Sequence, residues 1–258
     1  MDPTANSFVW YELMTTDAPA AAAFYQQVIG WKGVDAGMPD MAYTLLQVAG
    51  QSVAGLMALP ADVVPGTPPC WTGYVAVADV DAAAARISAA GGAVHRAPED
   101  IPGVGRFAVV ADPQGAVLCL FKGAPGDEPP PLAPATPGSM GWHELYATDL
   151  DSAWAFYNSQ FGWVKDTAID MGPMGVYQLF ATGAGSAAVG GMMKRPPEMP
   201  VSAWLYYVNV DAIDAAAARA TAAGGKVING PMEVPGGSWI VQCLDPQGAM
   251  FAMVAPGR

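Results

Sequence analysis

The chain has 258 residues, of which 52% are hydrophobic and 13% are charged, so it holds enough apolar material for one or two globular domains. Its 11 Lys and Arg residues stand against 23 Asp and Glu residues, a formal net charge of −12. A chain this acidic cannot neutralise a row of phosphates, which argues against nucleic acid and anionic membrane surfaces as partners.

The start of the chain predicts a protein without a targeting segment. The first residues, MDPTANS, contain neither a basic stretch nor an apolar run, and nowhere do about 18 apolar residues follow one another. The three cysteines include no C-x-x-C pair, which argues against a disulfide framework and a structural zinc site. We therefore expect a soluble, cytoplasmic protein.

The first predicted module has the order β-α-β-β. Residues 8–14 are rich in aromatic side chains, as strands are, and Asp17 is placed to cap a helix over 18–28 that ends at Gly30. Two strands then follow on either side of a turn at Gly50, over 43–48 and 51–59. The intervening segment 35–40 is polar and turn-prone, which predicts a loop.

The second predicted module repeats this order. A strand over 71–77 leads into an alanine-rich helix over 81–90, which Gly91 and Gly92 end. Three strands are expected to follow, over 93–95, 107–111 and 116–121. The sequence Asp-Pro-Gln-Gly at 112–115 predicts a hairpin turn before the last of them.

The second half of the chain repeats the first. The segment WYELMTTD at 10–17 recurs as WHELYATD at 142–149, and Asp-Pro-Gln-Gly recurs at 245–248. A Pro- and Gly-rich linker over 124–139 separates the copies, which predicts domains over 1–123 and 140–258. The polar run 166–175 corresponds to the loop of the first half.

The duplicated pattern resembles the vicinal oxygen chelate superfamily, which includes glyoxalase I, the bleomycin and fosfomycin resistance proteins and the extradiol dioxygenases. The shared features are the Thr-Asp helix start followed by Phe-Tyr and Gly-Trp, the alanine-rich helix that ends in Gly-Gly, and the Asp-Pro-Gln-Gly hairpin. The chain is most similar to two-domain members of the glyoxalase-like or hydroxylase-like type. The resemblance implies an α+β fold of tandem βαβββ modules, two per domain, in curled mixed sheets with the helices outside.

In the enzymes of this superfamily a sheet-lined cup holds a divalent metal. The resemblance places the ligand positions of this chain on Trp10, Leu56 or Met57, Thr72 and Cys119 in one half, and on Trp142, Met192 or Met193, Leu205 and Ala252 in the other. The nickel or zinc sites of glyoxalases need histidine nitrogens and carboxylate oxygens, and the iron sites of extradiol dioxygenases need two histidines and one carboxylate. We therefore expect no metal and no other cofactor; a displaced metal site that recruits His143, Glu144 or Glu12 is the alternative.

Side chains alternate between the two faces of a strand, so further residues accompany these positions. Trp10 brings Glu12 and Met14 to its face, Trp142 brings Glu144 and Tyr146, Thr72 brings Tyr74, and Leu205 brings Tyr207. Walls of aromatic, apolar and thioether groups with one carboxylate suit a flat or apolar small molecule. The predicted binding residues are Trp10, Met57, Thr72, Tyr74, Cys119, Trp142, Met192, Leu205 and Tyr207.

Several of these residues admit two interpretations. Glu12 and Glu144 are either catalytic acids or bases with a raised pKa, or structural carboxylates bonded to a tyrosine or to backbone N–H groups. Trp10 and Trp142 either stack on a ligand or fill the place of the lost metal. Cys119 is expected to be a buried, inert thiol, and His143 a packing residue on the face opposite the cup.

We therefore expect a metal-independent protein that binds a small apolar or aromatic metabolite, in the manner of the resistance proteins. The alternatives are a glyoxalase-like lyase or isomerase that uses Glu12 or Glu144 without metal, and lyase or dioxygenase chemistry at a displaced metal site. A third alternative is an interaction module with collapsed cups. A chain with four modules can pair them internally, so a monomer or weak dimer is expected.

Overall fold

The computed structural model of the chain describes residues 5–39, 41–61, 66–126 and 132–258. The first half contains β1 (Phe8–Thr15), α1 (Ala18–Ile29), β2 (Lys32–Asp35), β3 (Tyr43–Val48), β4 (Gln51–Ala58), β5 (Cys70–Ala76), α2 (Val80–Ala89), β6 (Ala93–Ile101), β7 (Gly105–Ala111) and β8 (Val117–Gly123). The second half contains β9 (Met140–Ala147), α3 (Leu150–Phe161), β10 (Val164–Asp170), β11 (Val176–Ala181), β12 (Gly190–Lys194), β13 (Ala203–Asn209), α4 (Ile213–Ala222), β14 (Lys226–Glu233), β15 (Trp239–Leu244) and β16 (Met250–Ala255). None of the helices in the described ranges is long and apolar enough to cross a membrane.

The strands form two eight-stranded mixed sheets. One has the order β2-β3-β4-β1-β5-β8-β7-β6, and the other has the order β10-β11-β12-β9-β13-β16-β15-β14. Within every module the first strand runs parallel to the last, as β1 does to β4, and the other paired strands of the module are antiparallel. The predicted α+β fold of tandem βαβββ modules is confirmed.

The ends of the helices follow the local sequence. The Asp17 side chain accepts a hydrogen bond of 3.0 Å from the Ala20 N–H, which caps α1. Gly30 has a φ of 89°, a left-handed conformation that favours glycine, and it ends the helix as predicted. The Gly115 N–H donates to the Asp112 carbonyl at 3.0 Å, which confirms the hairpin turn.

The predicted loops are the main error of the sequence analysis. Residues 166–170 belong to β10, which pairs with β11, and only the following residues turn, with a short 3-10 helix at Gly172–Met174. Strand β2 precedes the other predicted loop, whose residue 40 lies outside the described residues, as do residues 127–131 of the linker. Both strands lie at sheet edges and are largely exposed, so they lack the apolar alternation that reveals a strand.

The chain divides into two compact units, each with one module from either half. The first unit comprises Met1–Val9, Thr72–Glu128 and His143–Trp204. The second unit comprises Trp10–Trp71, Pro129–Trp142 and Leu205–Arg258.

In the second unit, a buried hydrogen-bond network joins helix α1 to the turn between β15 and β16. The Tyr25 hydroxyl donates to Asp245 Oδ2 at 3.1 Å and accepts from Trp71 Nε1 at 2.8 Å. Asp245 Oδ1 accepts from the backbone N–H groups of Gln247 and Ala249. The repeated Phe-Tyr and Asp-Pro-Gln-Gly motifs are thus linked through one aspartate.

The first unit contains the same network with the other copy of each motif. The Tyr157 hydroxyl donates to Asp112 Oδ2 at 2.9 Å and accepts from Trp204 Nε1 at 3.0 Å. Asp112 Oδ1 accepts from the N–H groups of Gln114 and Ala116. Burial raises the pKa of both aspartates, and these buried acceptors hold one module of each unit against the other.

Candidate functional site

In the second unit, one face of β1 presents a group of half-buried polar and aromatic side chains. Tyr11, Leu13 and Thr15 are buried, whereas Trp10, Glu12 and Met14 alternate with them and are half-buried. Trp10 and Glu12 therefore share one face of the sheet, as strand alternation predicts.

A hydrogen-bond chain connects this face of β1 with β3. The Trp10 indole donates from Nε1 to the Tyr43 hydroxyl at 3.1 Å, and that hydroxyl donates to Glu12 Oε2 at 2.8 Å. All three side chains are half-buried, so the chain is stabilised by packing and still within reach of a ligand. We call these three residues the Glu12 cluster.

Strand β4 lies between the two ends of the Glu12 cluster. Gly55 of β4 is paired with Glu12 of β1 on one side and with Leu45 of β3 on the other. A Cβ atom placed on Gly55 would lie 1.8 Å from the Tyr43 hydroxyl oxygen and 2.3 Å from its ring carbon Cζ. The Tyr43 ring therefore crosses β4 directly over this glycine.

The first unit contains the duplicated counterpart. The Tyr177 hydroxyl donates to Glu144 Oε2 at 2.9 Å, and Gly191, which pairs with Glu144, lies beneath the Tyr177 ring. Here the carboxylate is 7% exposed, and the neighbouring Tyr146 is 6% exposed. The two glutamates thus share one geometry and differ in their accessibility.

The other predicted binding residues are mostly buried. In the first unit these are Thr72, Tyr74, Cys119 and Met192, with Tyr74 paired opposite Cys119. In the second unit Leu205 and Tyr207 are buried, whereas Met57 and Trp142 are half-buried. Of the predicted set, hydrogen bonds within the second unit join Glu12 to Trp10 through Tyr43.

Tyr207 has a polar partner that the sequence analysis missed. Gln242 of β15 donates from Nε2 to the Tyr207 hydroxyl at 2.7 Å. Ala252 of β16 pairs with both residues, and its small side chain leaves room for a bond across the strand. This alanine is one of the positions that the resemblance equates with a metal ligand.

His143 is buried in the first unit, away from any cluster of acids. Its ring stacks on Phe8 with centroids 4.3 Å apart, and its Nδ1 lies 2.7 Å from the Val189 carbonyl oxygen. Because a carbonyl only accepts, Nδ1 carries the proton. Burial lowers the pKa of His143 to about 4, so the imidazole is neutral at pH 7.

The residues at the metal-ligand positions do not fit a divalent metal. Trp10, Met57 and Ala252 supply no ionisable donor, and Thr72 and Cys119 supply a hydroxyl and a buried thiol. Across the described ranges, no three His, Cys, Asp or Glu side chains are grouped so that they could hold an ion. The donor chemistry that glyoxalase and dioxygenase metals require is therefore missing at these positions.

Tyr43 and Tyr177 are the functional candidates that sequence reasoning overlooked. Both lie one strand beyond the expected ligand positions and reach the glutamates only across Gly55 and Gly191. A signal was present, because each half has a tyrosine in its third strand and a glycine in its fourth. The tyrosine and the glycine can be connected with the glutamate only when the pairing register of the three strands is known.

An open depression of about 530 Å³ adjoins Tyr43 in the second unit. The segment between β2 and β3 supplies most of its wall, and the lining residues are Asp35, Met38, Pro39, Met41, Ala42, Tyr43 and Thr44. The Glu12 cluster therefore meets this depression through Tyr43, which is its one member among the lining residues.

Comparison with known families identifies the class of protein to which this fold corresponds. The family model described as the Glyoxalase/Bleomycin resistance protein/Dioxygenase superfamily matches residues 7–120 and 139–253. The chain belongs to this superfamily, as the resemblance predicted.

Individual relatives extend over nearly the whole chain. A Mycobacterium tuberculosis protein named "Putative glyoxylase CFP32" is 35% identical over 249 residues, which cover 96% of this chain and 94% of the relative. "Anthracycline biosynthesis protein DauV" of Streptomyces sp. strain C5 is 32% identical over 262 residues, which cover 95% of this chain and 91% of the relative.

A solved structure supports the fold. The Mn(II)-bound glyoxalase from Novosphingobium aromaticivorans superposes with a TM-score of 0.66 at 19% identity, over 98% of this chain and 83% of that structure. At this identity the similarity concerns the fold alone.

Proposed function

We propose that this chain binds a small, planar aromatic metabolite at the Glu12 cluster, without a metal ion. The single observation that carries the proposal is the half-buried Trp10–Tyr43–Glu12 chain of hydrogen bonds. It combines two aromatic side chains with one carboxylate on a single sheet face. Aromatic side chains supply stacking area, and one fixed polar group orients the ligand.

The accessibility of the two glutamates favours the Glu12 cluster over its duplicate. Glu144 is 7% exposed, whereas Glu12 is half-buried, and its hydrogen-bond partner Tyr43 lines the open depression. A ligand can approach Glu12 without displacing core side chains. We therefore assign Glu144 and Tyr177 a structural role in the first unit.

The relatives support an aromatic ligand. DauV, and DnrV of Streptomyces peucetius at 32% identity, are both named as anthracycline biosynthesis proteins, and anthracyclines contain fused aromatic rings. The absence of suitable donors at the metal-ligand positions supports binding that does not depend on a metal. Sequestration or delivery of such a compound is a role that requires no turnover.

Titration calorimetry of the chelator-treated full chain with 2-naphthol and with an anthracycline tests the proposal. We expect binding to survive chelation, and the substitutions Trp10→Phe and Glu12→Gln each to weaken it about tenfold, which corresponds to about 1.4 kcal/mol. Trp154→Phe, which alters a tryptophan of the first unit, is the matched control and leaves the affinity unchanged. Binding that vanishes on chelation, or that is insensitive to Trp10 and Glu12, contradicts the proposal.

The Tyr43–Glu12 hydrogen bond favours a second candidate function, proton transfer by Glu12 in a glyoxalase-like lyase or isomerase. CFP32 bears a glyoxylase name, and a carboxylate held by a phenol can accept and return a proton. If Glu12 transfers a proton in this way, the chelator-treated protein converts methylglyoxal in the presence of glutathione. Glu12→Gln then lowers kcat at least a hundredfold, whereas Glu144→Gln does not. Equal rates for wild type and Glu12→Gln exclude this candidate.

A further inference from the structure

We infer that Gly55 is a positioning residue of the Glu12 cluster, and that the cluster selects ligands with a hydrogen-bond donor, O–H or N–H, on their aromatic ring. This inference rests on the proposed function, since it specifies the chemistry that the same site recognises. It follows from two observations on β1, β3 and β4 of the second unit and from a third on their counterparts in the first unit.

The first observation is the space that Gly55 leaves. Tyr43 lies on β3 opposite Met57 and must pass diagonally over residue 55 to reach Glu12, its partner on the far strand. Any side chain at this position would overlap the Tyr43 ring, because its Cβ would lie within 2.8 Å of three ring or hydroxyl atoms of Tyr43. Gly55 does not adopt a positive φ, so glycine matters at this position because it lacks a side chain and not because of its backbone freedom.

The second observation is the direction of the hydrogen bonds. The Trp10 indole can only donate, so the Tyr43 oxygen accepts from it and the single Tyr43 proton points to Glu12. Glu12 accepts this hydrogen bond at Oε2. A carboxylate has acceptor sites only, so the ligand group that suits it is a donor, and a bare ether or carbonyl oxygen brings no proton to share.

The third observation is the repetition of the arrangement. Gly191 lies beneath Tyr177 in the first unit, with its Cβ position 2.3 Å from Cζ, and Tyr177 donates to Glu144. The same glycine, tyrosine and glutamate therefore occur twice, with the glutamate buried in the first unit and half-buried in the second. The buried copy provides an internal control, because a substitution there imposes the same clash away from the proposed ligand.

The experiment compares 2-naphthol with 2-methoxynaphthalene, which has the same ring and no donor, on the full-length protein. We expect wild type to bind 2-naphthol about 30-fold more tightly, the range of one hydrogen bond to a charged group. Gly55→Ala should abolish this preference, because any loss of stacking on the displaced Tyr43 ring lowers the affinities for both probes alike, whereas loss of the oriented Glu12 affects 2-naphthol alone. Gly191→Ala should preserve the preference, although it lowers the melting temperature by a similar amount.

A second measurement separates the failure of this inference from the failure of the proposed function. Gly55→Ala is expected to lower the melting temperature by about 4 °C in wild type and by less than about 1 °C in a Tyr43→Ala background, where no ring crosses residue 55. Equal melting shifts in both backgrounds overturn the positioning role. A retained preference for 2-naphthol in Gly55→Ala also overturns the positioning role, whereas equal wild-type affinity for the two probes overturns the donor selectivity. Binding of neither probe refutes the proposed function, and the selectivity with it.

Discussion

Asp245→Ala is expected to lower the free energy of unfolding by about 4 kcal/mol. The substitution removes the acceptor for the Tyr25 hydroxyl and for the N–H groups of Gln247 and Ala249, of which Tyr25 and Ala249 are buried and Gln247 is half-buried. Each donor left without a partner costs about 1 to 3 kcal/mol, and the hydroxyl can recover part of this through other contacts. Urea denaturation followed by circular dichroism measures the change.

Three further variants test whether this network is the cause. Asp112→Ala removes the equivalent acceptor in the first unit and should be as destabilising. Asp245→Asn keeps an oxygen for the backbone donors and should cost less than about 1.5 kcal/mol. Asp214→Ala breaks an exposed ion pair with Arg258 and should cost less than about 0.5 kcal/mol. The explanation is wrong if Asp245→Ala costs no more than Asp214→Ala.

Acid is expected to destabilise the protein through His143. Burial against Phe8 lowers the pKa of this imidazole in the folded chain from its ordinary value of 6.5 to about 4. As the pH falls below about 6.5 the unfolded chain binds a proton that the folded chain refuses, so stability is lost progressively until the pH reaches about 4. Above about pH 6.5 the contribution of His143 to the free energy of unfolding is complete. Between pH 7 and pH 5 the loss amounts to about 2 kcal/mol.

His143→Phe should remove this part of the pH dependence. The phenyl ring can still stack on Phe8, and the Val189 carbonyl still accepts from the backbone N–H of residue 143. We expect the difference in unfolding free energy between pH 7 and pH 5 to be about 2 kcal/mol smaller in the variant. His95→Phe alters the other histidine, which is exposed, and serves as the matched control. Parallel pH profiles for wild type and His143→Phe contradict this account.

The burial of Asp112 and Asp245 acts in the opposite direction. Their pKa is raised in the folded chain, so the folded state holds these protons more tightly, and stability falls as the pH rises above the ordinary pKa of aspartate. The comparison between wild type and His143→Phe cancels this contribution, because both proteins contain both aspartates. The pH profile of the wild type alone does not identify the histidine.

The accuracy of the sequence predictions follows the range of the interactions that determine each feature. The cap at Asp17, the stop at Gly30 and the Asp-Pro-Gln-Gly turn depend on residues a few positions apart, and the structure confirms them. The edge strand β10 was predicted as a loop because its exposed residues carry no apolar pattern. Its strand conformation comes from pairing with β11, which the segment itself does not encode.

The same distinction between local and long-range interactions applies to the candidate site. The sequence alone determined the duplicated module and the shared face of Trp10 and Glu12, because these depend on repetition and on strand alternation. Only the tertiary structure decided that Tyr43 crosses Gly55 to Glu12, and that Glu12 is accessible while Glu144 is buried. Both results depend on the register of separate strands and on packing, which join residues far apart in the chain.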